Sequence, residues 1–132
     1  MVTMLMSIKP KYVEKIFSGI KKYEYRTIKC KIIPDRIIIY STSPVKKVVG
    51  ELIIEKVLFD KKENIWKLTH EYSGTDEEEF NNYFKNREYA VAYKIKEFKK
   101  YNTYKDLSDY GVKCVPQSYI YLDDKVEKSL QI

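Results

Sequence analysis

The 132-residue sequence predicts an α+β fold, and three observations carry that expectation. Six runs show strand-like spacing or continuous apolar character, three show helical spacing, and Gly50 interrupts the longest strand where a bulge would curl a sheet. No Pro/Gly/Ser linker, repeat or low-complexity block divides the chain. One domain over residues 1–122 is therefore expected, with 123–132 a polar tail, and the 44% hydrophobic residues suffice for its core.

Each element has its own local reason. A strand opens at residues 3–8. Pro10 suits the first turn of a helix over 10–18, where Tyr12, Val13, Ile16, Phe17 and Ile20 share one face and Gly19 supplies the left-handed stop. Residues 21–28 then alternate, with Tyr23, Tyr25 and Thr27 on one side and Lys22, Glu24 and Arg26 on the other. Glu24 and Arg26 should thus point the same way. Arg36 to Ser41 is a third strand whose run Ile37–Tyr40 implies burial on both faces, and it ends in the polar Ser41-Thr42-Ser43-Pro44. Lys46 to Phe59 forms a long β-branched fourth strand. A second helix is expected from Glu63 to Tyr72 with Ile65, Trp66, Leu68 and Thr69 on its buried side. A third opens on Thr75-Asp76-Glu77-Glu78, read as a capping box whose acids have a structural role, and buries Phe80, Tyr83 and Phe84. Tyr89, Val91, Tyr93 and Ile95 alternate as the fifth strand, Asp106 to Tyr110 is a helical turn before Gly111, and Ser118 to Leu122 is the last strand.

Charge and rare residues narrow the function. A formal net charge of +6 favours an anionic partner. Lysine far outnumbers arginine, so Arg26 stands out: its planar fork can grip a carboxylate, phosphate or base edge with two parallel bonds. Cys30 and Cys114 lack C-x-x-C spacing and have only His70 as a companion, so no metal or cofactor is expected and both thiols should be reduced. His70 has no nearby nucleophile elbow and reads as a solvent-facing helix residue. With no run of about 18 to 20 apolar residues, no membrane span is expected, and with Met1 to Met6 too short for a signal-peptide core the location should be cytoplasmic.

Gly19, Lys21, Glu24 and Arg26 also resemble the G-x-K-x-x-E-x-R motif of the ASCH domain, a member of the PUA-like superfamily of small β-barrels associated with RNA. Met6 to Ile16 is similar to that family's first strand and helix, Ile37 to Pro44 to its next strand and loop, and Pro116 to Tyr121 to its closing strand. The resemblance covers residues 4 to 122. It implies a mixed, mainly antiparallel PUA-like β-barrel with flanking helices. The family includes proposed RNA binders, ribonucleases and an amidohydrolase acting on an acetylated pyrimidine nucleoside.

In such a barrel, Ser7 and Lys9, the motif residues Lys21, Glu24 and Arg26, the loop residues Ser41 and Thr42, and Gln117 with Ser118 would gather at one cleft. That chemistry suits a nucleobase or nucleotide: an amide and hydroxyls for base edges, Arg26 and Lys9 for phosphate, Glu24 for an exocyclic amine. Among the tyrosines, Tyr12, Tyr40 and Tyr119 adjoin the candidate loops and are the better stacking residues, whereas Tyr83 and Tyr93 fit core positions. The favoured reading is a small RNA-binding or modified-base-reading domain, with RNA or a nucleotide as ligand and a place in translation or transcription regulation. The alternative is an enzyme with Lys21 and Glu24 as catalytic residues, either a metal-dependent or Lys/Glu-based ribonuclease or a nucleoside amidohydrolase. For the amidohydrolase, the resemblance implies a threonine where this chain has Glu24, plus a distant glutamate for which Glu51 and Glu55 are the stand-ins. The sequence leaves open which ligand is bound, whether chemistry follows, and the oligomeric state.

Overall fold

A computed structural model describes residues 1–123; of the expected tail, residues 124–132 lie outside the described part. The chain forms β1 (Thr3–Ile8), α1 (Pro10–Phe17), β2 (Tyr23–Arg26), β3 (Arg36–Ser41), β4 (Lys47–Lys61), α2 (Lys62–Thr69), α3 (Glu77–Tyr83), β5 (Tyr89–Lys105) and β6 (Tyr119–Tyr121). Short 3-10 turns occupy His70–Tyr72 and Leu107–Tyr110. One six-stranded sheet runs in the order β2-β5-β4-β3-β1-β6. Only the β1–β3 pairing is parallel among these described strands, the other four being antiparallel. The sheet curls into a half-barrel, in keeping with the PUA-like expectation.

Three apolar clusters hold it together. Met4, Met6 and Ile8 of β1 and Ile37 and Ile39 of β3 fill the concave side with Val13 and Ile16 of α1. The alternate residues Leu5, Ile38 and Tyr40 pack outward against Tyr110, so β3 is indeed buried on both faces. Tyr25, Ala90 and Ala92 present a third surface to Ile65 of α2, to Phe80 of α3 and to Phe84 just after it. Each Å² of apolar surface these clusters remove from water stabilises the fold by about 25 cal/mol.

Gly50 lies at the expected irregularity. The β4 register shifts between Val48 and Gly50, and a Cβ on Gly50 would sit 2.4 Å from the Lys99 carbonyl oxygen and 2.7 Å from the Phe17 ring. It is therefore both a bulge and a close backbone approach.

Several boundaries differ from the sequence reading. β2 is four residues long, not eight, because the chain leaves the sheet once Arg26 has paired with Val91. β4 continues to Lys61, and β5 runs far past Ile95 to Lys105 through residues exposed enough to lose their apolar alternation. α2 stops at Thr69 and tightens into the 3-10 turn, leaving Leu68 66% exposed and not on the buried side. The cap of α3 is Asp76, whose side chain accepts from the Glu79 amide at 2.8 Å, one residue beyond the expected Thr75.

Candidate nucleotide-sized cleft

The motif is positioned by a helix stop. Gly19 takes φ +83°, and the Gly19 and Ile20 amides donate to Ile16 and Lys15 carbonyls at 3.0 and 3.1 Å, the paired bonds of a Schellman ending. The chain thereby reverses and drops the Lys21 side chain into the interior, 3% of the residue remaining exposed. Glu24 and Arg26 follow on one face of β2.

Three charges then share one buried array. The Glu24 carboxylate accepts from Arg26 Nη2 at 2.9 Å on one oxygen and faces Lys21 Nζ at 3.7 Å on the other. Arg26 Nη2 also donates to the Ser7 carbonyl at 2.7 Å, and Nη1 reaches the Ser118 hydroxyl at 3.4 Å. Arg26 thus spans from β2 to β1 and the approach to β6, clasping the opening of the half-barrel. Lys21 Nζ donates to the Ser73 carbonyl at 2.9 Å and lies 5.1 and 4.9 Å from the Tyr12 and Tyr25 ring centres. Burial lowers the Lys21 pKa, and although Glu24 pulls the other way, desolvation prevails.

The array forms the floor of a cleft of about 260 Å³, small beside the usual ~300–1,000 Å³ of ligand sites. Ser7, Lys9, Lys21, Glu24, Arg26, Thr42 and Gln117 all line it. Ser118 stands just behind, against Arg26. Ser41 does not line it: as the last β3 residue it is 2% exposed and paired with Ile8 and Lys47.

Three tyrosines stand elsewhere than the sequence predicts. Tyr12 lines the cleft, but Tyr40 is buried in the outer cluster and Tyr119 packs on the inner one. Tyr83 is no core residue; 47% exposed, it forms a wall with Tyr25 and Phe80. His70 is exposed, as expected, but opens the 3-10 turn after α2.

Glu79, which the sequence does not single out, also lines the cleft. From the first turn of α3 it faces into the cleft, where it accepts from the Tyr12 hydroxyl, from Lys11 Nζ at 2.8 Å and from the Thr75 hydroxyl at 2.6 Å. The hydrogen bonds from Lys11, Thr75 and Tyr12 draw its pKa down to about 2. Tyr12 is pushed up to about 12 by burial and by Glu79, so it stays a donor at neutral pH. Glu51 and Glu55 stand elsewhere: Glu51 pairs with Arg36 at 3.2 Å and Glu55 with Lys94 at 2.9 Å. The run of four acids from Asp76 to Glu79 carried a signal, since Glu79 sits three residues after its cap, but a first-turn acid ordinarily serves the dipole.

Among the described residues, no group of three or more His, Cys, Asp or Glu could hold a metal ion, and no helix is long and apolar enough to cross a membrane.

Known proteins share this framework. The family model for the ASCH domain matches residues 6–99. Large ribosomal subunit protein uL22 of Ureaplasma parvum serovar 3 is 32% identical over 122 residues, covering 91% of this chain and 39% of that protein. The chain thus spans about two-fifths of the length of that relative. An ASCH domain-containing ribonuclease of Zymomonas mobilis is 29% identical over 94 residues, 70% of this chain and 64% of the other. The crystal structure of ASCH from Zymomonas mobilis superposes with a TM-score of 0.87 at 25% identity, over 98% of this chain and 93% of that one.

Proposed function

Because the chain belongs to the ASCH domain family, we propose that it binds RNA by taking one unpaired base, with its sugar and phosphate, into this cleft. The observation that carries the reading is the Lys21–Glu24–Arg26 array set between aromatic walls. Tyr12, Tyr25 and Tyr83 offer ring surface for a base, Gln117 and Thr42 offer donors and acceptors at the rim, and exposed Lys9 can meet phosphate. The volume of about 260 Å³ suits a single nucleotide better than a longer segment inserted whole. Neither cleft carboxylate is free to act as a base: Glu24 is held between two cations, and Glu79 is held low by three donors. Binding needs no such freedom.

A second reading, ribonuclease, is favoured by one observation. Burial loosens the Lys21 proton, and an amine so placed beside Arg26 could take the 2′-hydroxyl proton while Arg26 steadies charge on the phosphate. The Zymomonas relative named as a ribonuclease adds to its weight. An amidohydrolase gains Glu79 as its distant carboxylate but still has Glu24 where a threonine is implied.

The test is to titrate labelled single-stranded RNA with purified protein and to follow cleavage in the same samples, with and without chelator. Saturable binding with intact RNA supports the first reading. Cleavage abolished by Lys21→Met with binding retained would replace it with the second, and absence of both binding and cleavage would overturn both.

A further inference from the structure

A second cleft lies away from the motif, on the outer side of β3, β4 and β5, with a volume of about 580 Å³. Its floor is a closed polar network. Arg36 Nη1 donates to Glu51 Oε2 at 3.2 Å, and the Tyr101 hydroxyl donates to Glu51 Oε1 at 2.9 Å. Both carboxylate oxygens are occupied, and burial raises the Tyr101 pKa, so that hydroxyl remains a donor. Glu51 is the one acid among the described residues lining the cleft, while Lys99, Lys100 and Lys105 stand around it. With Glu51 balanced by Arg36, the three lysines leave a surplus of positive charge.

The backbone is irregular at the same place. Val48 pairs with Lys105 and Gly50 with Lys100, so Tyr101 through Tyr104 stand opposite Val49 alone. A bulge of this size redirects side chains that a regular strand would alternate, and it sets Tyr101 on Glu51 with lysines on either side. The groove lines up point charges without an arginine fork held free for a base edge, which suits a repeating anion read by charge and not by sequence.

We propose that this groove binds the phosphodiester backbone of single-stranded RNA, a second contact beyond the base-reading cleft; the choice of RNA rests on the function proposed above. The base cleft would then select an unpaired nucleotide, and the groove would add sequence-independent, salt-sensitive affinity.

The experiment is fluorescence anisotropy on mixed-sequence single-stranded RNA of about 12 nucleotides across a range of salt. The triple variant Lys99→Ala, Lys100→Ala, Lys105→Ala is compared with a charge-matched control, Lys56→Ala, Lys67→Ala, Lys85→Ala. Single strands lose about 0.7 in the log–log salt slope per phosphate neutralised, so the groove variant should lose about 2 in slope and about tenfold in affinity, with the control close to wild type. Equal losses in both triples would reduce the effect to net charge, and no loss in the groove triple would remove the site; either overturns the inference. If Arg26→Lys leaves affinity intact while the groove triple abolishes it, the base cleft fails and the groove stands. Binding of poly-glutamate through these lysines, with no RNA bound by wild type, would assign the groove to an acidic polypeptide and overturn the RNA inference.

Discussion

Gly74 lies against Lys21 so closely that a Cβ built on the glycine would be 2.8 Å from the Lys21 Cβ. The same short loop supplies the Ser73 carbonyl to Lys21 Nζ at 2.9 Å and the Gly74 carbonyl to Lys15 Nζ at 2.6 Å. Two lysines therefore tie the α2–α3 connection to the motif, and the connection in turn carries Thr75 and Glu79 to the cleft.

Gly74→Ala should be more destabilising than Gly111→Ala. Both glycines have positive φ, +70° and +72°, but a Cβ at Gly111 meets nothing within 4 Å. The left-handed cost of about 1 kcal/mol is common to both, and the clash with Lys21 should add about 1 to 3 kcal/mol to the first alone. Urea unfolding of the two variants measures the difference; equal losses would show that Lys21 yields freely.

Glu24→Gln should cost about 3 kcal/mol near neutral pH, because it leaves Lys21 and Arg26 as neighbouring buried cations. The loss should shrink as the solution is made alkaline. Burial lowers the folded-state pKa of Lys21 beneath its ordinary 10.5, so between the two values the unfolded chain binds more protons and stability rises with pH. Without Glu24 that window widens downward. Unfolding of wild type and variant from pH 7 to 10 checks it, and a gap independent of pH would mean that Lys21 is not what the glutamate compensates.

Glu79→Gln should matter above pH 4.5 and cease to matter in acid. The folded pKa of about 2 lies below the ordinary 4.5, so the stabilisation is fully present above 4.5 and is lost as pH falls toward 2. Screening around the exposed Lys11 limits it to about 1 kcal/mol. Stability at pH 6 and at pH 3 should show the wild-type advantage shrinking; an advantage that persists unchanged would assign it to packing.

Much of this was legible in order along the chain. The Ile37–Tyr40 run announced a strand buried on both sides, Gly19 announced the turn, and alternation placed Glu24 and Arg26 on one face. What escaped was long-range. Nothing local says that α3 docks with its first turn over α1, which is why Glu79 did not stand out and Tyr83 reads as core. Ser41 was misplaced because a polar strand end beside a loop looks the same whether it closes a cleft or pairs with neighbours. β5 beyond Ile95 was lost because a bulged, exposed strand no longer alternates.

The most direct test of the base-reading cleft is the affinity of Arg26→Lys for short single-stranded RNA, alongside its thermal unfolding. Lysine keeps the charge but cannot hold Glu24 and the Ser7 carbonyl together with one fork while presenting the cleft in the same shape. If the cleft takes the base, the folded variant should bind about 5- to 150-fold more weakly, the loss of a charge-assisted contact worth about 1 to 3 kcal/mol, and added nucleoside monophosphate should compete with RNA on wild type. Unchanged affinity in a folded variant, with no competition by the monophosphate, would contradict the central claim.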